Sequence, residues 1–202
     1  YSSPIATLTL QPDETAAIDT YVQEAAPTSA AATSATIAVN GTAGFRRNAF
    51  LKFDLSSLAS KLILAATLYI CNVTTSAANQ SFPLHAILAA NSGWVEGATW
   101  NYANPSTVRW AGDVGADAGI DAGCSVAGTD YNAASIGTLG YLADTIADTQ
   151  HAITLDVTQM AAMVVANYGL MMLRTPSGIF SFHSASATNA ALRPKLVVSY
   201  RD

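Results

Sequence analysis

The sequence predicts an all-β fold, a jelly-roll-like antiparallel β-sandwich with one short helix near residues 158–166. Three observations carry this: apolar residues recur with a period of two, the apolar runs are short, and turn residues separate them. Residues 5–10 and 18–22 open the domain. Residues 36–39 form a strand that ends at Asn40-Gly41, a dipeptide favoured where φ must be positive. In the next run Ala49, Leu51, Phe53 and Leu55 share one face and Asn48, Lys52 and Asp54 the other, with Phe50 as the exception. Further strands are expected at 62–73, 82–88, 152–157, 168–173, 179–183 and 196–200, with Gly, Pro, Asn, Asp and Ser clusters between them. Many short strands divided by turns indicate a sandwich or barrel.

Residues 158–166 depart from this period. They hold good helix formers, with Met160, Met163 and Val164 at helical spacing and Asp156 or Thr158 placed to cap the start. The methionines read as core, in a helix plugging one end of the sandwich. Residues 112–147 are rich in Gly, Ala, Asp and Thr and thin in apolar residues. They read as a long surface excursion with a short strand or a turn of helix at most, and loops of that length are commonly functional or mobile.

The 202 residues suit a single domain, 1–202. Half of them are hydrophobic and only 11% are charged, with a net charge of -5. The mean hydropathy of +0.28 is positive. Soluble domains usually carry about a quarter charged residues, so this surface is built from Ala, Ser, Thr, Asn and Gly. Disorder requires the opposite balance. Nucleic-acid binding requires clustered Lys and Arg, and nine spread over the chain against fourteen acids do not supply it. No apolar run reaches the roughly 18 residues of a membrane-spanning helix. The chain opens at Tyr1 and not at Met, as a processed or excised piece would.

Enzyme signatures are lacking. His85, His151 and His183 are dispersed, and no nucleophile elbow, phosphate loop or dinucleotide fingerprint is present. Glu96 could pair with an aspartate as glycosidases require, but their separation cannot be read from sequence. No catalytic residue is therefore assigned. Cys71 reads as a small core residue and Cys124 as a loop thiol; a single pair leaves a disulfide open. No zinc spacing occurs. Asp113, Asp117 and Asp121 lie among glycines but do not match the alternating calcium-loop pattern. The sites Asn40-Gly41-Thr42, Asn72-Val73-Thr74 and Asn79-Gln80-Ser81 match the glycosylation acceptor pattern, which a Ser/Thr-rich chain reaches by chance.

Several phrases line up in order: Asp19-Thr20-Tyr21-Val22, Phe45-Arg46-Arg47-Asn48-Ala49-Phe50-Leu51-Lys52-Phe53-Asp54-Leu55, Ala65-Ala66-Thr67-Leu68-Tyr69-Ile70, Trp94-Val95-Glu96-Gly97-Ala98-Thr99-Trp100-Asn101, Leu155-Asp156-Val157-Thr158, Asn167-Tyr168-Gly169-Leu170 and Arg193-Pro194-Lys195-Leu196-Val197-Val198-Ser199-Tyr200. This series resembles the DNRLRE domain family, close to carbohydrate-binding module family 96 and the disaggregatase-related domains. The resemblance implies a non-catalytic, extracellular sandwich of a kind found on secreted polysaccharide-active enzymes, cell-surface proteins and phage structural proteins. A structural calcium is carried only by that resemblance, and no other cofactor is expected.

Sugar-binding sandwiches commonly stack exposed aromatic rings on pyranose faces. Trp94, Trp100 and Trp110 cluster with Tyr102 in one connection. A platform of Trp94, Tyr102 and Trp110, with Arg109 beside it for hydroxyls, is the site expected. The competing expectation places Trp94 and Trp100 in the core. Two functions follow. One is a carbohydrate-binding or adhesive module whose partner is a polysaccharide or cell-surface glycan. The other is a structural or decoration subunit of a virion, fibre or surface assembly, since interface centres are depleted in Lys and Glu. Both place the chain outside the cell, on its surface or on a virion.

Overall fold

Alternating β-branched and aromatic residues build thirteen strands in the structure, a computed structural model that describes residues 3–13, 18–105, 107–113, 122–141, 143, 145–173 and 177–202. In chain order they are β1 (Ala6–Leu10), β2 (Ile18–Gln23), β3 (Thr36–Asn40), β4 (Arg47–Lys52), β5 (Leu62–Cys71), β6 (Gln80–Ala86), β7 (Tyr102–Asn104), β8 (Val108–Arg109) and β9 (Gly137–Tyr141). After them come β10 (Gln150–Leu155), the helix α1 (Val157–Val165), β11 (Leu170–Met172), β12 (Ile179–His183) and β13 (Lys195–Arg201). The strands form two antiparallel sheets and a small hairpin. The first sheet runs β1-β13-β5-β10; the second runs β12-β3-β4-β11-β6-β9, with β2 also paired to β4; β7 and β8 pair alone.

The two sheets bury one core between them. Ile63, Ala66, Leu68 and Ile70 of β5 meet Ile37, Val39, Ala49 and Leu51 of β3 and β4, and Phe82, Phe180 and Phe182 fill the centre with ring centroids 4.8–5.3 Å apart. Burying each such side chain stabilises the fold by about 1.5–3 kcal/mol. The fold is thus the all-β sandwich that the period of two predicts. The helix lies one residue earlier than expected. Asp156 caps it by accepting a hydrogen bond from the Gln159 N–H at 2.8 Å, and Met160 and Met163 enter the core.

Phe50 shows why its strand broke the alternation. Asn48, Ala49, Phe50 and Leu51 are all buried, so β4 is covered on both faces. Ala49 and Leu51 point between the sheets. Phe50 points the other way, into a second core made with Val22, Ile87, Trp94, Ala98, Trp100, Ala103, Trp110, Ala122, Cys124, Tyr131 and Met171. The connection between β6 and β9 folds over the outer side of the large sheet, and that cover demands an apolar residue where a half-buried strand would carry a polar one.

The expected surface excursion at 112–147 is therefore corrected for its described part. Ala122, Cys124, Tyr131, Ile136, Leu139 and Tyr141 are buried, and β9 extends the large sheet beside β6. Sparse apolar residues suffice because small Gly and Ala let the backbone itself approach the core. Residues 114–121 lie outside the described residues. Two smaller expectations also change. The positive φ in the turn after β3 falls on Gly44 (80°), while Asn40 accepts the Thr42 N–H through its side chain at 3.0 Å. Cys124 is a buried thiol and, like Cys71, is unpaired.

Candidate functional site

Trp94 and Trp110 are 2% and 1% exposed, so the expected aromatic platform does not form. Phe50 is the reason. It stacks on Trp110 with centroids 5.2 Å apart and planes 15° apart, and it meets Trp94 at 5.5 Å. Both indole N–H groups are spent inside the protein, Trp94 on the Tyr168 carbonyl at 2.6 Å and Trp110 on the Thr99 carbonyl at 2.9 Å. A buried indole needs such a partner, and these rings have no free face for a sugar. The two other expected residues are half-buried and do come together. The Arg109 guanidinium lies 5.3 Å from the Tyr102 ring centroid across the β7–β8 hairpin and donates to Asp113 at 2.7 Å.

That ion pair also bears on calcium. Asp113 gives its Oδ2 to Arg109, so the cation beside it is a guanidinium. Asp117 and Asp121, the other carboxylates of that loop, lie outside the described residues.

A different surface offers polar chemistry over aromatic rings. A groove of about 290 Å³ is lined by Asn40, Arg46, Asn48, Trp100, Ser125 and Tyr131. Trp100 forms its floor and is wholly buried. Its N–H has no hydrogen-bond partner among the described residues. Leaving a buried donor unpaired costs about 1–3 kcal/mol. The Arg46 guanidinium lies 5.3 Å from the Trp100 ring centroid. Glu24 holds it there through two hydrogen bonds, from Nε at 2.9 Å and Nη2 at 2.6 Å, and also accepts the Arg46 backbone N–H at 3.2 Å. These bonds keep the Glu24 carboxyl below its usual range, the guanidinium bonds being the main cause.

The remaining walls are fixed by the chain beyond residue 121. Asn48 donates to the Gly123 carbonyl at 2.7 Å, and the Gly123 N–H donates to the Trp100 carbonyl at 2.7 Å. Gly123 adopts φ 74°, and a Cβ there would stand 2.6 Å from the Trp100 ring, so only glycine fits without a shift. Behind Tyr131, the buried Asp130 carboxylate accepts from the Asn91 side chain at 2.8 Å and from the Gly112 and Val126 N–H groups at 2.8 and 2.9 Å. Tyr131 itself packs against His85 with centroids 4.9 Å apart, and burial pushes its hydroxyl pKa up. The only sequence signals for this groove were the phrase containing Arg46 and the Thr99-Trp100-Asn101 phrase; Ser125 and Tyr131 carry no local signature.

The model of carbohydrate-binding module family 96 matches residues 11–119, over half of the chain. The chain belongs to that family. The matched span carries Asn40, Arg46, Asn48 and Trp100 of the groove and most of the second core, while Ser125 and Tyr131 of this module lie beyond it. No curated protein sequence matches the module.

Among the described carboxylates, Asp19 and Glu96 stand near enough to feel each other's charge. Burial pushes the Asp19 pKa up to about 6, opposed by its hydrogen bond from the Ala185 N–H at 2.6 Å and reinforced by the charge of Glu96. The cavity beside Asp19 is only about 10 Å³, room for roughly one water and not for a sugar ring. His151 bonds Asn72 at 3.1 Å and His183 bonds Asp148 at 2.7 Å, each away from the groove residues.

Proposed function

We propose that this module is a non-catalytic, extracellular glycan-binding domain that holds its ligand in the groove above Trp100. The observation that carries this reading is the convergence of Asn40, Asn48, Ser125, Tyr131 and Arg46 over one buried indole, in a chain of a carbohydrate-binding family. Sugars present dense hydroxyls that act as both donors and acceptors. Amide, hydroxyl and guanidinium groups supply the complementary set. Recognition would rest on hydrogen bonds more than on ring stacking, because Arg46 covers the indole. Tyr102 and Arg109, half-exposed on the hairpin, make a secondary contact for a longer chain.

The test is binding of the whole chain to a glycan array, followed by titration of the best ligand. Arg46→Ala should weaken binding about tenfold, the loss of one or two hydrogen bonds to a charged donor. Unchanged affinity in Arg46→Ala would remove the groove as the site.

A second reading, a subunit that packs in a fibre, virion or surface assembly, draws on the outer face of the first sheet. Strand register places Thr9, Val197, Thr67 and Thr154 in one row across four strands, each half-buried or exposed and none charged. Light scattering at rising concentration tests it: a species that stays monomeric counts against this face as a self-association surface.

A further inference from the structure

We infer that β1 is an association edge, on which a second copy of the chain adds its own β1 to make one continuous sheet. This goes beyond the assembly reading above, which concerns the outer face of the first sheet and does not depend on its edge. The strand orders of the two sheets end at β1, β10, β12 and β9. An end strand presents a row of backbone N–H and C=O groups, and proteins ordinarily cover that row or guard it with charge, Pro or a bulge. β12 is covered. The Val73 and Thr74 N–H groups donate to the Ser181 carbonyl at 2.8 and 3.2 Å, and the Ser181 N–H donates to Thr74 Oγ1 at 3.0 Å. β9 and β10 shield each other. The Asp156 N–H after β10 donates to the Ile136 carbonyl before β9 at 2.6 Å, and a Cβ on Gly137 would stand 2.7 Å from the Thr154 carbonyl. β1 has neither cover nor guard. Among the described residues, Ala6–Leu10 make no backbone hydrogen bond beyond their pairing with β13, which runs in regular register. The strand holds no charge and no Pro.

β1 itself selects the occupant. Thr7 and Thr9 are exposed on one face, and Ala6, Leu8 and Leu10 lie half-buried on the other. Leu8 and Leu10 pack against the main core without being closed over by it. Thr7-Leu8-Thr9 reads the same in both directions, so an antiparallel copy centred on Leu8 is complementary to the original. It sets Thr7 against Thr9 of the second copy, Leu8 against Leu8 and Ala6 against Leu10. Threonine meets threonine on the wet face and apolar meets apolar on the inner one, as stabilising cross-strand pairs do. The half-buried leucines gain on their open side the cover that β13 gives on the other. A two-fold pairing of one edge with itself closes at a dimer. Pro4 and Pro12 bracket the strand and lack the N–H that would extend the ladder. The outer row Thr154, Thr67, Val197 and Thr9 then runs on through Thr7, Ser199 and Ala65 of the second copy, with no charge on either side of the axis.

The experiment is sedimentation equilibrium of the whole chain up to about 1 mM, where even a weak pairing is populated. It is joined by a cross-linking arm that reads the register. The wild type is expected to show a reversible monomer–dimer equilibrium. The double variant Thr7→Lys, Thr9→Lys sets like charges directly opposite one another twice across the axis and should raise the dissociation constant about tenfold. Thermal melts check that it remains folded, since both threonines are exposed. In the second arm Thr7→Cys and Thr9→Cys are made as separate proteins and oxidised mildly, alone and mixed. Only the mixture brings two thiols face to face in this register, so it should give severalfold more disulfide-linked dimer than either protein alone. A wild type that stays monomeric to about 1 mM overturns the inference. So does a dimer that the double variant leaves intact, which would point to the outer face and leave that reading standing. Equal linking in the single variants and the mixture overturns it as well. If the double variant fails to fold, the cysteine arm decides alone. Glycan binding is outside the test, because the groove above Trp100 belongs to the second core and not to the first sheet.

Discussion

Arg46 lies over Trp100, with its guanidinium carbon 5.3 Å from the ring centroid, in a groove of the second core where polar side chains converge on an aromatic floor. The floor residue is wholly buried, and the residue above it is held from the side by a carboxylate. This geometry separates residues that build the site from residues that would touch a ligand, and the two groups should respond differently to substitution.

Trp94 and Trp110 belong to the first group. Trp94→Ala and Trp110→Ala should each cost about 3–5 kcal/mol in stability, the usual range for deleting a buried aromatic. Chemical denaturation should show a large drop in midpoint for both, with any loss of binding following the unfolded fraction.

Tyr102 stands in the second group. Tyr102→Ala should leave the melting temperature within a few degrees of wild type and weaken binding to long glycans severalfold while sparing short ones. Calorimetric titration with oligosaccharides of increasing length checks this; no length dependence in the loss would remove the hairpin from the contact.

Gly123 tests the floor. Gly123→Ala places a methyl 2.6 Å from the Trp100 ring at a φ of 74°. Strain and overpacking of this kind cost about 1–3 kcal/mol each, so the melting temperature should fall by several degrees. The Trp fluorescence spectrum of the folded variant should also shift, because the indole must move.

Asp19 sets a pH dependence. Its folded pKa of about 6 lies above the ordinary aspartate value of 3.8. Between these values the folded state holds a proton that the unfolded state has lost. The contribution of Asp19 is therefore most favourable below about pH 4, declines as pH rises to about 6, and is constant above. The difference is on the order of 2–3 kcal/mol. Asp19→Asn keeps an acceptor for the Ala185 N–H and removes the titration, so its stability should be flatter than wild type across that window in denaturant titrations.

Most of the strand pattern was legible because a period of two is local. Each of the runs at 36–39, 179–183 and 196–200 lies in a strand of the structure. The helix was legible for the same reason, through its cap and the spacing of its methionines. β7, β8 and β9 were not. They are two to five residues long and lie in a stretch whose small residues show no alternation. Trp94 and Trp110 were ambiguous because a clustered tryptophan looks the same whether it faces a ligand or a neighbouring sheet. The one local sign was Phe50, an apolar residue on the face expected to be polar.

By itself the sequence determined the all-β class, the position of most strands and the family phrases, because propensity, alternation and turn chemistry act over a few neighbouring residues. Only the tertiary structure decided that the outer side of the large sheet carries a second core, which turns two expected ligand contacts into packing. Only it brought Asn40, Arg46, Trp100, Ser125 and Tyr131 to one groove, across nearly half the chain, and set Glu24 against Arg46. Burial and charge pairing depend on which segments fold over one another, and no local pattern in the chain encodes that.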